Sequence, residues 1–165
     1  MRWDAFEDAC PRIATVARER FAKDELVILG TIRPDGSPRV SPCEVDVAAG
    51  RLLLGMMWRS RKATDLRRDP RVAVHSVPSD RMNPGGDVKL YGRAVYEHDP
   101  EVREAFRDAI LRRIDWAPAE PRYHLFSLEV MSAAYLRFAD GGGDAWVWDE
   151  AGGLRELPDP FANVE

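Results

Sequence analysis

The residues best suited to chemistry lie together in Met57-Trp58-Arg59-Ser60-Arg61-Lys62. A strand pattern, Leu52 to Met57, precedes them, and a short helical pattern, Ser60 to Asp69, follows. Ser60 reads as the N-cap of that helix and Pro70 as its stop. Backbone N–H groups in a first helical turn lack partners, and the dipole adds about 0.3–1 kcal/mol for an anion there. Arg61 and Lys62 oppose that dipole, so a negative group is wanted at the same end. A phosphate answers the need, each charge-assisted hydrogen bond contributing about 1.5–3 kcal/mol. The same residues also read as a solvated basic turn paired with Asp65 and Asp69. Both readings stand at this stage.

Other reactive side chains are scattered. Cys10 and Cys43 have no C-x-x-C spacing, which argues against zinc and disulfides and for buried thiols. His75, His98 and His124 are isolated, and a strand histidine at 75 reads first as a hydrogen-bonded core or rim residue. The carboxylates form no defensible pair, and Ser41 has no histidine or aspartate at diagnostic spacing. No metal site is expected, and no side chain is assigned as a catalytic acid or base.

The elements that position these residues follow from periodicity. Asp4-Ala5-Phe6-Glu7 has the form of a capping box with Asp4 as N-cap. Pro11 opens a second helix with the stripe Ile13, Val16, Ala17 and Phe21. Residues 26–32 read as a buried strand, turned by Arg33-Pro34-Asp35-Gly36-Ser37-Pro38 into a return strand over 39–47. Pro42 cannot donate to a ladder, so that strand is an edge there or carries a bulge. After Leu52–Met57 and the short helix come strands at about 71–77 and 88–97, separated by the loop from Pro78 to Gly86. Asp99-Pro100 opens a helix with one face of Val102, Ala105, Phe106, Ala109, Ile110 and Ile114. From Leu125 to Phe138 the residues Phe126, Leu128, Val130, Ala134, Leu136 and Phe138 keep one period-2 phase. Gly141-Gly142-Gly143 is a flexible break before a terminal hairpin. Strands joined by hairpin-length links favour a mainly β fold, a small antiparallel barrel with peripheral helices, over a doubly wound sheet.

The chain has 165 residues, 45% hydrophobic and 32% charged, which suits one domain burying about 70% of its unfolded surface. That domain divides into N-terminal helices over 4–23, a barrel core over 25–138 and a hairpin extension over 144–157. The formal charge of −4 argues against a nucleic-acid binder, and no basic face carries interleaved aromatics. Apolar runs fall far short of a membrane span, and Asp4, Glu7, Asp8 and Glu19 interrupt any signal core. A cytoplasmic address is the expectation.

Leu29-Gly30-Thr31-Ile32-Arg33-Pro34-Asp35-Gly36-Ser37-Pro38-Arg39-Val40-Ser41-Pro42, followed by Ser60-Arg61-Lys62-Ala63, resembles the pyridoxamine 5′-phosphate oxidase-related, flavin-binding split-barrel family. Asp69-Pro70-Arg71-Val72-Ala73-Val74 and Gly86-Asp87-Val88-Lys89-Leu90-Tyr91-Gly92-Arg93-Ala94 extend the match, which covers residues 25–97 best. The resemblance implies a six-stranded antiparallel split β-barrel that forms a homodimer with its cofactor sites between subunits. The cofactor implied is FMN, or the deazaflavin F420 in related branches, with its phosphate held by Ser60, Arg61 and Lys62. Arg39, Val40, Ser41 and Pro42 would then run beside the ribityl chain and ring. Gly55, Met56 and Met57 would line the isoalloxazine, and Asp87 or Lys89 would supply a polar ring contact. Adjacent strand residues face opposite ways, so one methionine at most meets the ring, and plain core packing explains them as well. Trp58 would cover a cofactor edge or fill the subunit interface.

Two departures stand out. Met56 and Arg59 occupy places where many members carry a small or hydroxylated residue and a glycine. The C-terminal residues that would hold a substrate phosphate in a true pyridoxamine phosphate oxidase are absent, so that specific activity is not expected. The functional expectation is an oxidoreductase passing hydride through the flavin ring to a small substrate. The alternatives are an F420-dependent reductase, or a non-enzymatic flavin or haem carrier or sensor with His75 or His124 as axial ligand.

Overall fold

The computed structural model describes residues 1–78, 85–139 and 142–159. Its strands are β1 (Leu26–Ile32), β2 (Pro38–Ala48), β3 (Arg51–Met57), β4 (Arg71–Ser76), β5 (Asp87–Tyr96), β6 (Tyr123–Ala139), β7 (Gly142–Asp149) and β8 (Gly153–Glu156). They form one antiparallel sheet in the order β3-β2-β1-β4-β5-β6-β7-β8, and β3 also pairs with β6. That extra pairing closes the first six strands into a barrel and removes their open edges. The helices are α1 (Trp3–Ala9), α2 (Pro11–Asp24), α3 (Arg61–Arg68) and α4 (Pro100–Ile114).

The β1–β2 turn forms as its residues dictate. Gly36 adopts φ +83°, and the Asp35 carboxylate accepts from the Ser37 N–H at 2.9 Å and its hydroxyl at 2.7 Å. The β1–β2 register is continuous, whereas β2 meets β3 only from Glu44 onward. Pro42 therefore lies on a free stretch of β2, and no bulge is needed to house it.

The bulge occurs in β6 instead. Tyr91 faces Ser132 while Gly92 faces Val130, leaving Met131 as the extra residue. Phe126, Leu128 and Val130 enter the core before it, and Ala133 and Tyr135 after it. The single phase expected through Ala134, Leu136 and Phe138 is thus broken, because one inserted residue reverses every later side chain. Gly92 permits the close approach: a Cβ there would stand 1.9 Å from the Glu129 carbonyl oxygen.

The Asp4 capping box does not form. α1 starts at Trp3, which is fully buried, and Arg2 occupies the N-cap without a side-chain bond. Asp4 pairs with Arg2 at 2.6 Å, and Glu7 with Arg18. Burial of the indole outweighs one local cap, worth about 1 kcal/mol. Asp99, by contrast, caps α4 through the Glu101 N–H at 3.0 Å, as its Asp-Pro sequence suggests.

The main core fills the barrel and continues under α1 and α2. A second cluster, Leu53, Val102, Phe106, Ile110, Tyr123 and Leu125, lies between α4 and the outer faces of β3 and β6. β3 is therefore buried on both faces. β7 and β8 extend the sheet past the barrel, where Trp148 packs edge-on to Phe6 at 5.0 Å. Gly142 and Gly143 belong to β7, not to a break; Gly141 and residues 79–84 of the Pro78–Gly86 loop lie outside the described residues. No helix among the described residues is long and apolar enough to cross a membrane.

Candidate functional site

Asp65 fixes α3 against the barrel. It is buried, and its carboxylate accepts from Arg39 Nε at 2.6 Å and Thr31 Oγ1 at 3.1 Å, with Arg68 at 3.6 Å. Burial alone would raise its pKa, but the Arg39 and Thr31 hydrogen bonds and the nearby cations outweigh it and hold the carboxyl below its ordinary range. Asp69 is taken by Arg71 at 2.6 Å, whose hydrogen bonds pull its pKa down to about 2. Neither aspartate pairs with Arg61 or Lys62, so the partners of the basic-turn reading are engaged elsewhere.

What remains at the start of α3 is an uncapped helix end. Ser60 makes no capping bond, and its Oγ is buried without a hydrogen-bond partner. Arg61 has no ion pair among the described residues, and Lys62 Nζ donates to the Pro42 carbonyl on β2. The turn before it depends on Arg59, which adopts φ +60° and donates its N–H to His124 Nε2 at 3.2 Å. That left-handed conformation is the physical reason a glycine would suit this place. Trp58 stacks on the His124 ring at 4.8 Å and 15°.

A cavity of about 690 Å³ opens from this helix end along the outer faces of β2 and β3, under α4. Pro42, Glu44, Gly55, Met57, Trp58 and Lys62 line it on the barrel side. Phe106, Trp116, Arg122 and Tyr123 close the other side. The strand period sorts the expected residues. Val40 and Pro42 face outward, whereas Arg39 points toward Asp65 and Ser41 shares its inward phase. Met56 is 4% exposed and belongs to the barrel core, while Met57 is 82% exposed. Gly55 does admit a ring, but that ring is Phe106: a Cβ would lie 2.5 Å from its Cζ. Asp87 and Lys89 sit on the outer face of β5 and do not line the cavity.

The cavity offers little acid–base chemistry. Burial pushes the Cys43 thiol up to about 12 and raises Tyr123 well above a free phenol, so both stay protonated at neutral pH. The Glu44 carboxylate is bound by Arg113 at 2.8 Å. His124 is lowered, first by burial and then by the charges of Arg67 and Arg103. The sequence reading missed the α4–β6 connection, residues 115–122, because a proline-rich segment without periodicity gives no signal of what it covers.

The family model of pyridoxamine 5′-phosphate oxidase matches residues 13–138, from α2 through β6. The chain belongs to the pyridoxamine 5′-phosphate oxidase family. A pyridoxamine 5′-phosphate oxidase-related, FMN binding protein from Nostoc punctiforme PCC 73102 is similar in fold. Its TM-score is 0.62 at 12% identity, over 93% of this chain and 97% of that one. A heme binding protein from Mycobacterium smegmatis gives 0.59 at 21% identity, over 79% of this chain and 57% of that one. Campylobacter jejuni ChuZ gives 0.71 at 11% identity, over 88% of this chain and 62% of that one. Identities this low establish a shared fold, and no curated protein matches the chain. Within the family fold, the uncapped start of α3 and the apolar cavity beside it form this chain's candidate cofactor site.

Proposed function

We propose that this family member is a cytoplasmic FMN-binding oxidoreductase acting on a small molecule. The observation that carries the reading is the buried, unpartnered Ser60 hydroxyl at the open N-terminus of α3. Ser60, Arg61, Lys62 and the free first-turn amides would hold the phosphate. Pro42, Met57 and Trp58 would flank the ring in a cavity whose 690 Å³ falls in the usual range for small-molecule sites. Bound FMN supplies hydride transfer at its ring N5. This chain's residues would contribute orientation and exclusion of water, with the Cys43 and Tyr123 side chains staying neutral. The same helix end would suit F420.

Two copies complete the reading. Val40, Gly30, Ala73 and Tyr91 lie directly opposite one another across four strands on the outer face, with Val40 71% and Tyr91 44% exposed. A second copy seated on this row would give the homodimer that the resemblance implies. Haem is the second reading, supported by the Mycobacterium smegmatis neighbour. Both His124 nitrogens are engaged, whereas His75 uses Nδ1 on the Ser76 carbonyl at 2.6 Å, which leaves Nε2 as the candidate ligand.

A visible absorption titration with FMN, F420 and haemin separates these readings. FMN should develop a bound-flavin band, with affinity at least tenfold weaker in Arg61→Ala/Lys62→Ala. Affinity within twofold of wild type would remove the phosphate assignment. A Soret band lost in His75→Ala would replace flavin by haem.

A further inference from the structure

We propose that the flank of α3 carries a second anion site, which takes the phosphate of a phosphomonoester and lays its flat body on Trp58. A cavity of about 560 Å³ there is lined by Trp58, Arg59, Thr64, Arg67, Arg68 and His124. Thr64, Arg67 and Arg68 share one helical face by their i, i+3, i+4 spacing. No carboxylate lines it. Arg68 is engaged by the Ile32 carbonyl and by Asp65 at 3.6 Å. Arg59 and Arg67 have no ion pair among the described residues, and Arg67 lies over the Tyr96 ring at 5.6 Å.

Two like charges meeting in one concave site repel each other, and a dianion relieves both at once. Guanidinium forks match phosphate oxygens in pairs, which favours phosphate over a single carboxylate. His124 adds no competing charge: its Nε2 accepts from Arg59 N–H, so the ring is neutral with its proton on Nδ1 toward Tyr96 Oη at 3.2 Å. Trp58 is half-exposed and held flat by that imidazole, and it lines both cavities. A ring placed on it would gain a stacking contact that free phosphate lacks. The cleft stands on its own charges and does not depend on the cofactor reading.

Calorimetric titration of the full chain with inorganic phosphate and with phenyl phosphate tests this. Arg61→Ala/Lys62→Ala should keep one equivalent of either ligand. Arg59→Ala/Arg67→Ala should weaken that site at least tenfold, with melting temperature recorded to show that the variant is folded. The single charge reversal Arg67→Glu, at an exposed position, provides the same loss should the double variant fail to fold. Phenyl phosphate should bind several-fold tighter than inorganic phosphate and quench tryptophan fluorescence, and Trp58→Leu should erase the difference. Phosphate binding absent from Arg61→Ala/Lys62→Ala, or unchanged within twofold in the cleft variants, would overturn the site. Equal affinity for the two ligands would overturn the ester and leave free phosphate. Phosphate bound in the cleft of a protein that takes up no FMN would sink the proposed cofactor and not the cleft.

Discussion

Asp65 takes the Arg39 and Thr31 hydrogen bonds that the sequence left unassigned, and so turns Arg39 from a ligand contact into an anchor for α3. Asp65→Asn should lower stability by about 2–4 kcal/mol in urea unfolding, since the half-buried Arg39 guanidinium loses its buried counter-charge. Its depressed pKa contributes stability above the ordinary 3.8, lost as pH falls through the folded value. His124 acts in the same direction at a higher pH. Its Nε2 must stay unprotonated to accept from Arg59, and burial, Arg67 and Arg103 lower its pKa below 6.5. The unfolded chain binds that proton first, so stability falls as pH drops below about 6.5 toward the folded value. Melting temperatures at pH 5 and 7.5 should show this loss, and His124→Gln should flatten it. Neither role was legible in the sequence, because the partners are distant in the chain and no local pattern pairs them.

At the scale of elements, Gly55 marks where α4 crosses β3. The resemblance offered Gly55 as a wall of the ring site, and the sequence could not say that Phe106 packs against it. Gly55→Ala should destabilise by about 1–3 kcal/mol through overpacking. Phe106→Leu in the same chain should recover part of that loss, measured as a double-mutant cycle in urea. Most strand and helix bounds were visible because burial imposes periods of 2 and 3.6 residues. The β6 phase was misread after Met131 because a bulge adds one residue without any special side chain to announce it.

At the scale of the whole molecule, the outer row of Val40, Gly30, Ala73 and Tyr91 is flat, and its two larger side chains are exposed. Pairing of two copies through this row predicts that sedimentation finds the mass of two chains for wild type and of one for Val40→Asp. A Val40→Asp protein that remained paired would remove this face from the interface. A monomeric Val40→Asp should also bind FMN more weakly if the partner completes the site.

A mainly β antiparallel barrel, the β1–β2 and β2–β3 hairpins and the Ser60-Arg61-Lys62 helix end were legible in the chain alone. Each of these rests on local rules: side-chain period, turn residues and helix-terminus electrostatics. Tertiary structure decided the rest. Closure of β3 on β6 brought His124 beneath the Arg59 turn, and Asp65 was buried against Arg39. The packing of α4 gave the cavity its outer wall. These outcomes depend on which distant surfaces exclude water from one another, and that is a property of the folded chain and of no segment within it.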